Sequence, residues 1–322
     1  MKTKETTFGV SQFISYLEGK GLAKSTQRGI LFKLQMFFKW AKTEDIQITK
    51  PDILKYLEYL KNRKGYQNIS RQNHLTALNH YFTYLYKVGE TSTNPCFFLK
   101  IRGTEKRQMY KLYSCEELDT LFDAYYQLFV RNYDSSKFTK TARIQSQLCR
   151  ERNAVILSIL LNQGVITGEI ERMKISDLDL TKAVLKITGG ILGADRVLPI
   201  KATQMGLFIN YLQNIRPQFM EYQTKETDKL FLSLPYSPDK KTDGGTLVRA
   251  FCILSKQLKT IDKQFLNFQQ VRASLITFWL KTYGLRKAQY LAGHRCVSTT
   301  EKYQINNLDG LIDDINKLHP LL

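Results

Sequence analysis

The chain has little histidine, little cysteine and no long apolar run. No stretch of its 322 residues approaches the roughly 18 uninterrupted apolar residues that a membrane span requires, which excludes a transmembrane helix. The five cysteines are scattered without CxxC spacing, which favours reduced thiols over a disulfide framework or a zinc site. The first ten residues, MKTKETTFGV, lack the apolar segment of a signal peptide, so we expect a cytoplasmic protein.

Acidic residues are also scarce. Lys and Arg together number 48 against 29 Asp and Glu, which gives a formal net charge of +19. The excess is densest in residues 1–110, which hold 19 basic and 8 acidic side chains. This charge balance favours a polyanionic partner, with nucleic acid as the first candidate and an anionic membrane surface as the second.

Residues 1–102 are predicted to form a small all-helical domain of three or four amphipathic helices. Ser25 and Thr26 are expected to cap one helix, and Pro51 is placed to open the next. The charged stretch 103–111 is interpreted as an exposed linker. It either lies against a phosphate backbone or is simply solvated.

Residues 112–322 mix helix and strand. The apolar run from Arg152 to Met173 predicts a long helix, and the segments 183–188 and 196–200 predict the two strands of a β-hairpin. Helical patterns dominate again towards the C-terminus. The expected fold class is therefore mainly α with a small β-hairpin or sheet, an α+β chain in two domains.

The segment LAGHRCVSTTEKY, from Leu291 to Tyr303, contains a glycine-histidine pair followed nine residues later by a tyrosine, with paired threonines between. It resembles the segment around the nucleophile of the tyrosine recombinase, or phage integrase, family. The resemblance extends over nearly the whole chain. It implies a SAM-like core-binding domain followed by a catalytic domain, the two forming a clamp around duplex DNA.

The family cleaves DNA with a tyrosine hydroxyl, forms a 3′-phosphotyrosine and rejoins a different strand, with no metal or nucleotide cofactor. The resemblance therefore implies a site-specific recombinase of a mobile element, an integrase or transposase-like enzyme. It also implies four protomers on two paired DNA sites. The apolar residues of segment 306–322 suit either docking on a neighbouring protomer or packing on their own domain.

The reaction makes three physical demands. A tyrosine, with an ordinary pKa near 10, must lose its proton during attack. Charge on the phosphate must be held by donors in place beforehand, which favours bidentate arginines, and the departing 5′ oxygen needs an acid. On the resemblance, Tyr303 is the nucleophile, Arg272 is the second arginine of the family, and His294 hydrogen-bonds the scissile phosphate.

Three further family groups are replaced in this chain. Ile166 stands at the first arginine, Ile191 at the hairpin lysine and Gln269 at the histidine of the HxxR motif. Removing one preorganised donor typically costs roughly 10² to 10³ in rate, so an enzyme with this sequence is either rewired or slow. On a continuous helix Arg172 cannot replace Ile166, because six residues rotate a side chain by about 240° and displace it by about 9 Å. The cations considered as substitutes are Arg143, Arg150, Arg152, Arg172 and Lys201.

Outside this site, a set of basic side chains suits contacts with phosphates. Each alone is interpreted as a solvated surface charge, and the cluster is more persuasive than its members. It comprises Lys24, Arg28, Arg63, Lys64, Arg71, His74, Arg102, Lys106 and Arg107.

The sequence leaves two main hypotheses open. The first is a divergent recombinase that cuts DNA through Tyr303. The second is a DNA-binding accessory protein with the recombinase fold, which has lost cleavage together with the replaced groups. Binding of basic helices to a membrane surface is a third and weaker hypothesis.

Overall fold

The computed structural model describes residues 10–42, 48–103, 111–134, 136, 139–190, 193–235 and 240–304. The chain divides into two compact units, residues 1–108 and residues 109–322. Each unit has its own cluster of buried apolar side chains.

The first unit is built from helices. Its described part contains α1 (Val10–Gly19), α2 (Lys24–Ala41), α3 (Lys50–Asn62) and α4 (Asn68–Val88). Pro51 lies in the first turn of α3, as predicted. The predicted caps Ser25 and Thr26 are wrong, because the carbonyl of Ala23 already accepts the amide of Gln27 and α2 therefore begins at Lys24.

The core of this unit is aromatic, with Phe13, Phe37, Tyr56 and Phe82 almost fully buried. His74 lies in this core, where its Nδ1 is hydrogen-bonded to the Tyr56 hydroxyl at 3.0 Å. Burial lowers the pKa of His74 to about 4, so the ring is neutral at pH 7. The interpretation of His74 as a phosphate contact is therefore wrong.

The second unit packs helices around a small sheet. Its described helices are α5 (Cys115–Tyr126), α6 (Lys140–Gln163), α7 (Thr167–Arg172), α8 (Ala202–Asn210), α9 (Arg216–Met220), α10 (Val248–Ile261), α11 (Phe268–Ala292) and α12 (Val297–Glu301). Short π-helical turns follow α5 and α8. Within the described residues, no helix combines the length and apolar composition needed to span a bilayer.

Helix α6 runs through the centre of this unit, and its residues 152–161 are all buried. The predicted helix from Arg152 to Met173 is wrong as a single element, because the chain leaves α6 at Gly164 and resumes as α7. Gly164 has a positive φ of 57°, and a Cβ there would lie 3.0 Å from the Trp279 side chain on α11. Glycine thus permits both the turn and the close approach of α11.

The sheet has three antiparallel strands in the order β1 (Leu178–Asp179), β2 (Val184–Ile187) and β3 (Arg196–Pro199). Both predicted hairpin strands are present, and β1 is an additional short strand. The register pairs Ile187 at the end of β2 with Arg196 at the start of β3. The mainly helical α+β fold class is confirmed.

Candidate active site

Arg272 is the fifth residue of α11, about one turn from its start, and is 7% exposed. The helix begins at Phe268, because the Asn267 side chain caps it by accepting the Gln270 amide. The Arg272 Nη1 donates to the Gly164 carbonyl and its Nη2 to the Ala292 carbonyl, both at 2.6 Å. The guanidinium therefore ties the turn after α6 to the end of α11.

Burial and neighbouring ionisable groups shift the pKa of Arg272, not all in the same direction. Burial lowers the pKa of Arg272 from its usual value. Glu169 and the phenol of Tyr303 favour the charged form, whereas the neighbouring Arg196 disfavours it. The guanidinium stays charged at neutral pH, because arginine is not deprotonated in proteins.

His294 follows the end of α11, where Gly293 turns the chain with a φ of 69°. The His294 Nε2 lies 3.1 Å from Arg272 Nη2, and its Nδ1 lies 2.9 Å from Thr300 Oγ1. Because a guanidinium can only donate, Nε2 is the acceptor and Nδ1 carries the proton. Burial, together with the charges of Arg272 and Arg196, lowers the pKa of His294 to about 4, so the ring is neutral at pH 7.

Tyr303 comes just after α12, and its amide donates to the Thr300 carbonyl at 3.0 Å. Its half-buried ring stacks on the His294 ring, with centroids 5.8 Å apart and planes inclined by 18°. The structure thus brings Arg272, His294 and Tyr303 into one cluster. A phenolic hydroxyl, a fixed cation and a neutral imidazole lie together there.

A buried ion pair lies beside this cluster. Arg196 on β3 donates from Nη1 to Glu169 Oε1 at 2.7 Å and from Nη2 to Glu169 Oε2 at 3.0 Å. Their side chains are 0% and 4% exposed. Burial would raise the pKa of Glu169, but the hydrogen-bonded guanidinium outweighs it and holds this pKa below its usual value.

The ion pair supports the segment that carries His294. The Ala194 amide donates to the Gly293 carbonyl at 2.9 Å, and Gly193 forms a β-bridge with His294. Gly293 lies so close to Arg196 that an added Cβ would come 2.8 Å from the guanidinium carbon. Glycine is required here by both its positive φ and this contact.

Two of the replaced family positions are described. Ile166 immediately precedes α7, is 42% exposed, and donates its amide to Glu169 Oε2 at 2.9 Å. Gln269 is exposed in the first turn of α11. Ile191 lies outside the described residues. Neither described position supplies a charge or a group that exchanges protons near neutral pH.

Four of the five cations considered as substitutes bind elsewhere. Arg143 donates to the Ser136 carbonyl, Arg150 lies over the Tyr133 ring, Arg152 donates to the Leu232 carbonyl, and Lys201 pairs with Asp119. Arg172 differs from these four because its guanidinium lies against Gly168 and Gly190.

The basic set of the first unit is mostly exposed. Lys24, Arg28, Arg63, Lys64 and Arg102 lie at the surface. Arg71 is only half-buried, but it serves the fold: its Nε donates to the Leu57 carbonyl at 3.0 Å, and its Nη1 to Asn68 Oδ1 at 3.2 Å. Lys106 and Arg107 lie outside the described residues.

Sequence reasoning missed Glu169, Arg196 and Thr300. Glu169 stands three residues after Ile166, where the TGLRxxE frame has its glutamate, so that frame could have indicated it. The partnership with Arg196 spans 27 positions, and no local spacing signals it. In sequence Thr300 is only one of two paired threonines, and its contact with the His294 ring depends on the turn between α11 and α12.

Replacing Glu169 by glutamine is expected to destabilise the second unit by about 3–5 kcal/mol, because it leaves the Arg196 charge buried without its counter-ion. The measurement is urea unfolding followed by circular dichroism. Asp119→Asn is the matched control, since it removes a carboxylate from the exposed pair with Lys201 and is expected to cost about 1 kcal/mol or less. Equal losses for the two variants would contradict this account of the ion pair.

Two family models match the chain. The model described as the phage integrase family matches residues 129–308, and the model described as the phage integrase N-terminal SAM-like domain matches residues 10–89. Together they cover most of both units.

Curated relatives match over nearly their whole length. The tyrosine recombinase XerC of Thermodesulfovibrio yellowstonii is 24% identical, with 98% of this chain and 97% of the relative covered. The tyrosine recombinase XerA of Pyrococcus horikoshii is 27% identical, with 91% and 87% covered.

Solved structures share the fold. The Tn1549 transposon integrase in complex with transposon right-end DNA has a TM-score of 0.64 at 15% identity, covering 96% of this chain and 98% of that one. The XerH site-specific recombinase bound to palindromic difH substrate, in a post-cleavage complex, has a TM-score of 0.60 at 18% identity, covering 88% and 76%.

Proposed function

The chain belongs to the phage integrase family of tyrosine recombinases, and we propose that it cuts and rejoins duplex DNA through a covalent bond between Tyr303 and a 3′ phosphate. The observation that carries this proposal is the cluster itself. Tyr303 stacks on His294, and His294 hydrogen-bonds Arg272, although the three residues come from separate turns of the second unit.

The proposed step uses these groups as follows. The Tyr303 oxygen forms a bond to phosphorus, and the bond to the 5′ oxygen breaks. Arg272 holds the charge that develops on the phosphate oxygens and also stabilises the phenolate. No acceptor among the described residues is hydrogen-bonded to the Tyr303 hydroxyl, so its proton passes to water.

His294 takes part as a hydrogen-bond donor. In the free protein its Nε2 accepts from Arg272, so a phosphate that draws this donor away leaves Nε2 without it. The negative charge of the phosphate then favours the imidazolium, and Nε2 takes up, through water, the proton that Tyr303 releases. The protonated Nε2 then donates to a phosphate oxygen, and the Thr300 hydroxyl holds the other side of the ring. Rejoining reverses the attack, with a 5′ hydroxyl of another strand displacing Tyr303.

The substrate and assembly follow from the same proposal. The relatives include a transposon integrase in complex with transposon end DNA, which favours a role in moving a mobile element. The net charge of +19 suits a DNA partner. We propose four protomers on two paired sites, acting in the cytoplasm.

A covalent trapping experiment tests the function. Duplexes that bind the protein are selected from a random-sequence pool, and a 5′-bridging phosphorothiolate is then placed at successive positions of the selected site. The sulfur leaving group needs no acid and does not rejoin efficiently, so the protein-DNA adduct accumulates. We expect an adduct on a denaturing gel, with the nucleotide attached to the tryptic peptide that begins at Tyr303.

A DNA-binding accessory protein is the second candidate. It is favoured by the isoleucine at position 166 and the glutamine at position 269, which supply neither charge nor a mobile proton. Tight binding to the selected duplex with no adduct at any phosphorothiolate position would support the accessory protein and contradict cleavage through Tyr303.

A further inference from the structure

Arg172 offers a cation without a partner in the described part of the chain. It lies in the last turn of α7 and is exposed, and no described residue forms a hydrogen bond or ion pair with its guanidinium. A Cβ on Gly168 would lie 3.5 Å from its Nη1, and a Cβ on Gly190 would lie 3.3 Å from its Nη2. The guanidinium therefore lies between these two glycines.

These two glycines are close in sequence to the two positions where the family has a cation and this chain has isoleucine. Gly168 is two residues after Ile166, and Gly190 immediately precedes Ile191. Ile166 does not lie on the helix with Arg172, because its backbone is extended, with φ −89° and ψ 155°. Arg172 and Ile166 are therefore not related by the rotation and rise of six residues on a continuous helix. The Arg172 side chain instead points back towards the start of α7, as helical side chains do.

The same two segments are bonded to the candidate active site. The turn before α7 includes the Gly164 carbonyl, which accepts from Arg272. The segment after Gly190 includes Gly193, which pairs with His294 and accepts from Arg295 Nε at 3.0 Å. Arg172 thus lies against Gly168 and Gly190, which are a few residues along the chain from Gly164 and Gly193, the residues that contact Arg272 and His294.

We propose that Arg172 is a catalytic cation that binds a non-bridging oxygen of the scissile phosphate, in place of the charge lost at Ile166. This inference rests on the proposed function. A guanidinium holds charge but does not transfer a proton near neutral pH, so the departing 5′ oxygen takes its proton from water. Arg172 restores charge stabilisation without restoring the acid.

The test measures single-turnover cleavage of the selected phosphorothiolate duplex at saturating protein. We expect Arg172→Ala to slow adduct formation by about 10²-fold, as for the loss of one preorganised donor. Lys174→Ala is the matched control: it removes an equal charge two residues away, from an exposed pair with Asp228, and is expected to cleave like the unsubstituted protein. Thermal melts of both variants check that the fold is retained.

Two rescues distinguish a cation at the phosphate from a general effect of charge. Ile166→Arg added to Arg172→Ala should recover about tenfold or more of the rate, because the two positions then supply the same group. A methylphosphonate at the scissile position carries no negative charge, so the difference between Arg172→Ala and the unsubstituted protein should nearly vanish on it. A structural role for Arg172 would produce neither rescue.

The outcomes separate this inference from the function on which it rests. A Tyr303-linked adduct that forms at the same rate, within about threefold, in Arg172→Ala overturns the role of Arg172 and leaves the recombinase function standing. The absence of an adduct in the unsubstituted protein overturns both.

Discussion

Tyr303→Phe is expected to abolish formation of the covalent adduct while leaving the fold and DNA binding intact. Phenylalanine keeps the ring that stacks on His294 and loses only the hydroxyl that attacks phosphorus. The hydroxyl also interacts with the Arg272 guanidinium, which keeps its bonds to the Gly164 and Ala292 carbonyls when that hydroxyl is removed. The measurement is adduct formation on the phosphorothiolate duplex, alongside a binding titration of the same duplex.

Tyr283→Phe is the control for Tyr303→Phe. Tyr283 is an exposed tyrosine on α11, with Lys287 over its ring, and removing its hydroxyl leaves the candidate active site untouched. This control should form the adduct at the rate of the unsubstituted protein. An adduct that persists in Tyr303→Phe would show that another residue is the nucleophile.

Arg272→Ala is expected to slow cleavage by at least about 10³-fold and to destabilise the second unit by several kcal/mol. The rate falls because the fixed charge beside the phosphate is lost. Stability falls because the carbonyls of Gly164 and Ala292 lose their donor, at about 1–3 kcal/mol for each buried group. Single-turnover cleavage and urea unfolding measure the two effects.

Arg152→Ala separates the two effects of Arg272→Ala. Arg152 is also a buried arginine of the second unit, and it donates to the Leu232 carbonyl at 2.7 Å and to the Asn153 side chain. Its loss should destabilise the unit comparably but leave cleavage nearly unchanged at temperatures where the variant is folded. Arg272→Lys should keep a charge, but a single ammonium cannot reach both carbonyls in the geometry of the guanidinium. A folded Arg272→Ala that cleaves at the original rate would exclude Arg272 from the chemistry.

Local sequence predicts the features that depend on residues close together in the chain. The register of His294 and Tyr303 follows from one glycine turn and one short helix, so the motif alone predicts that they lie close together. The hairpin strands were visible because their pattern is short and bounded by turn residues. The break between α6 and α7 was missed because apolar residues continue across it. The break depends on the close packing of Trp279 against Gly164, and these two residues are far apart in sequence.

The chemistry of the site was less predictable than its position. The pairing of Glu169 with Arg196 and the interaction of Arg272 with two distant carbonyls are long-range contacts, which no periodicity encodes. Long-range contacts also decide which cation can substitute for the arginine that Ile166 replaces. Arg143, Arg150, Arg152 and Lys201 looked as eligible as Arg172 in sequence, and only their partners in the fold distinguish them.

The hydrogen bonds of Arg272 also bear on what its survival means. Because it holds the carbonyls of Gly164 and Ala292 together, selection for stability alone would keep this arginine in a descendant that had stopped cutting DNA. Its presence alone therefore does not distinguish an active recombinase from such a descendant. The hydroxyl of Tyr303, which no described backbone group holds, would be free to drift to phenylalanine once cleavage ceased to matter.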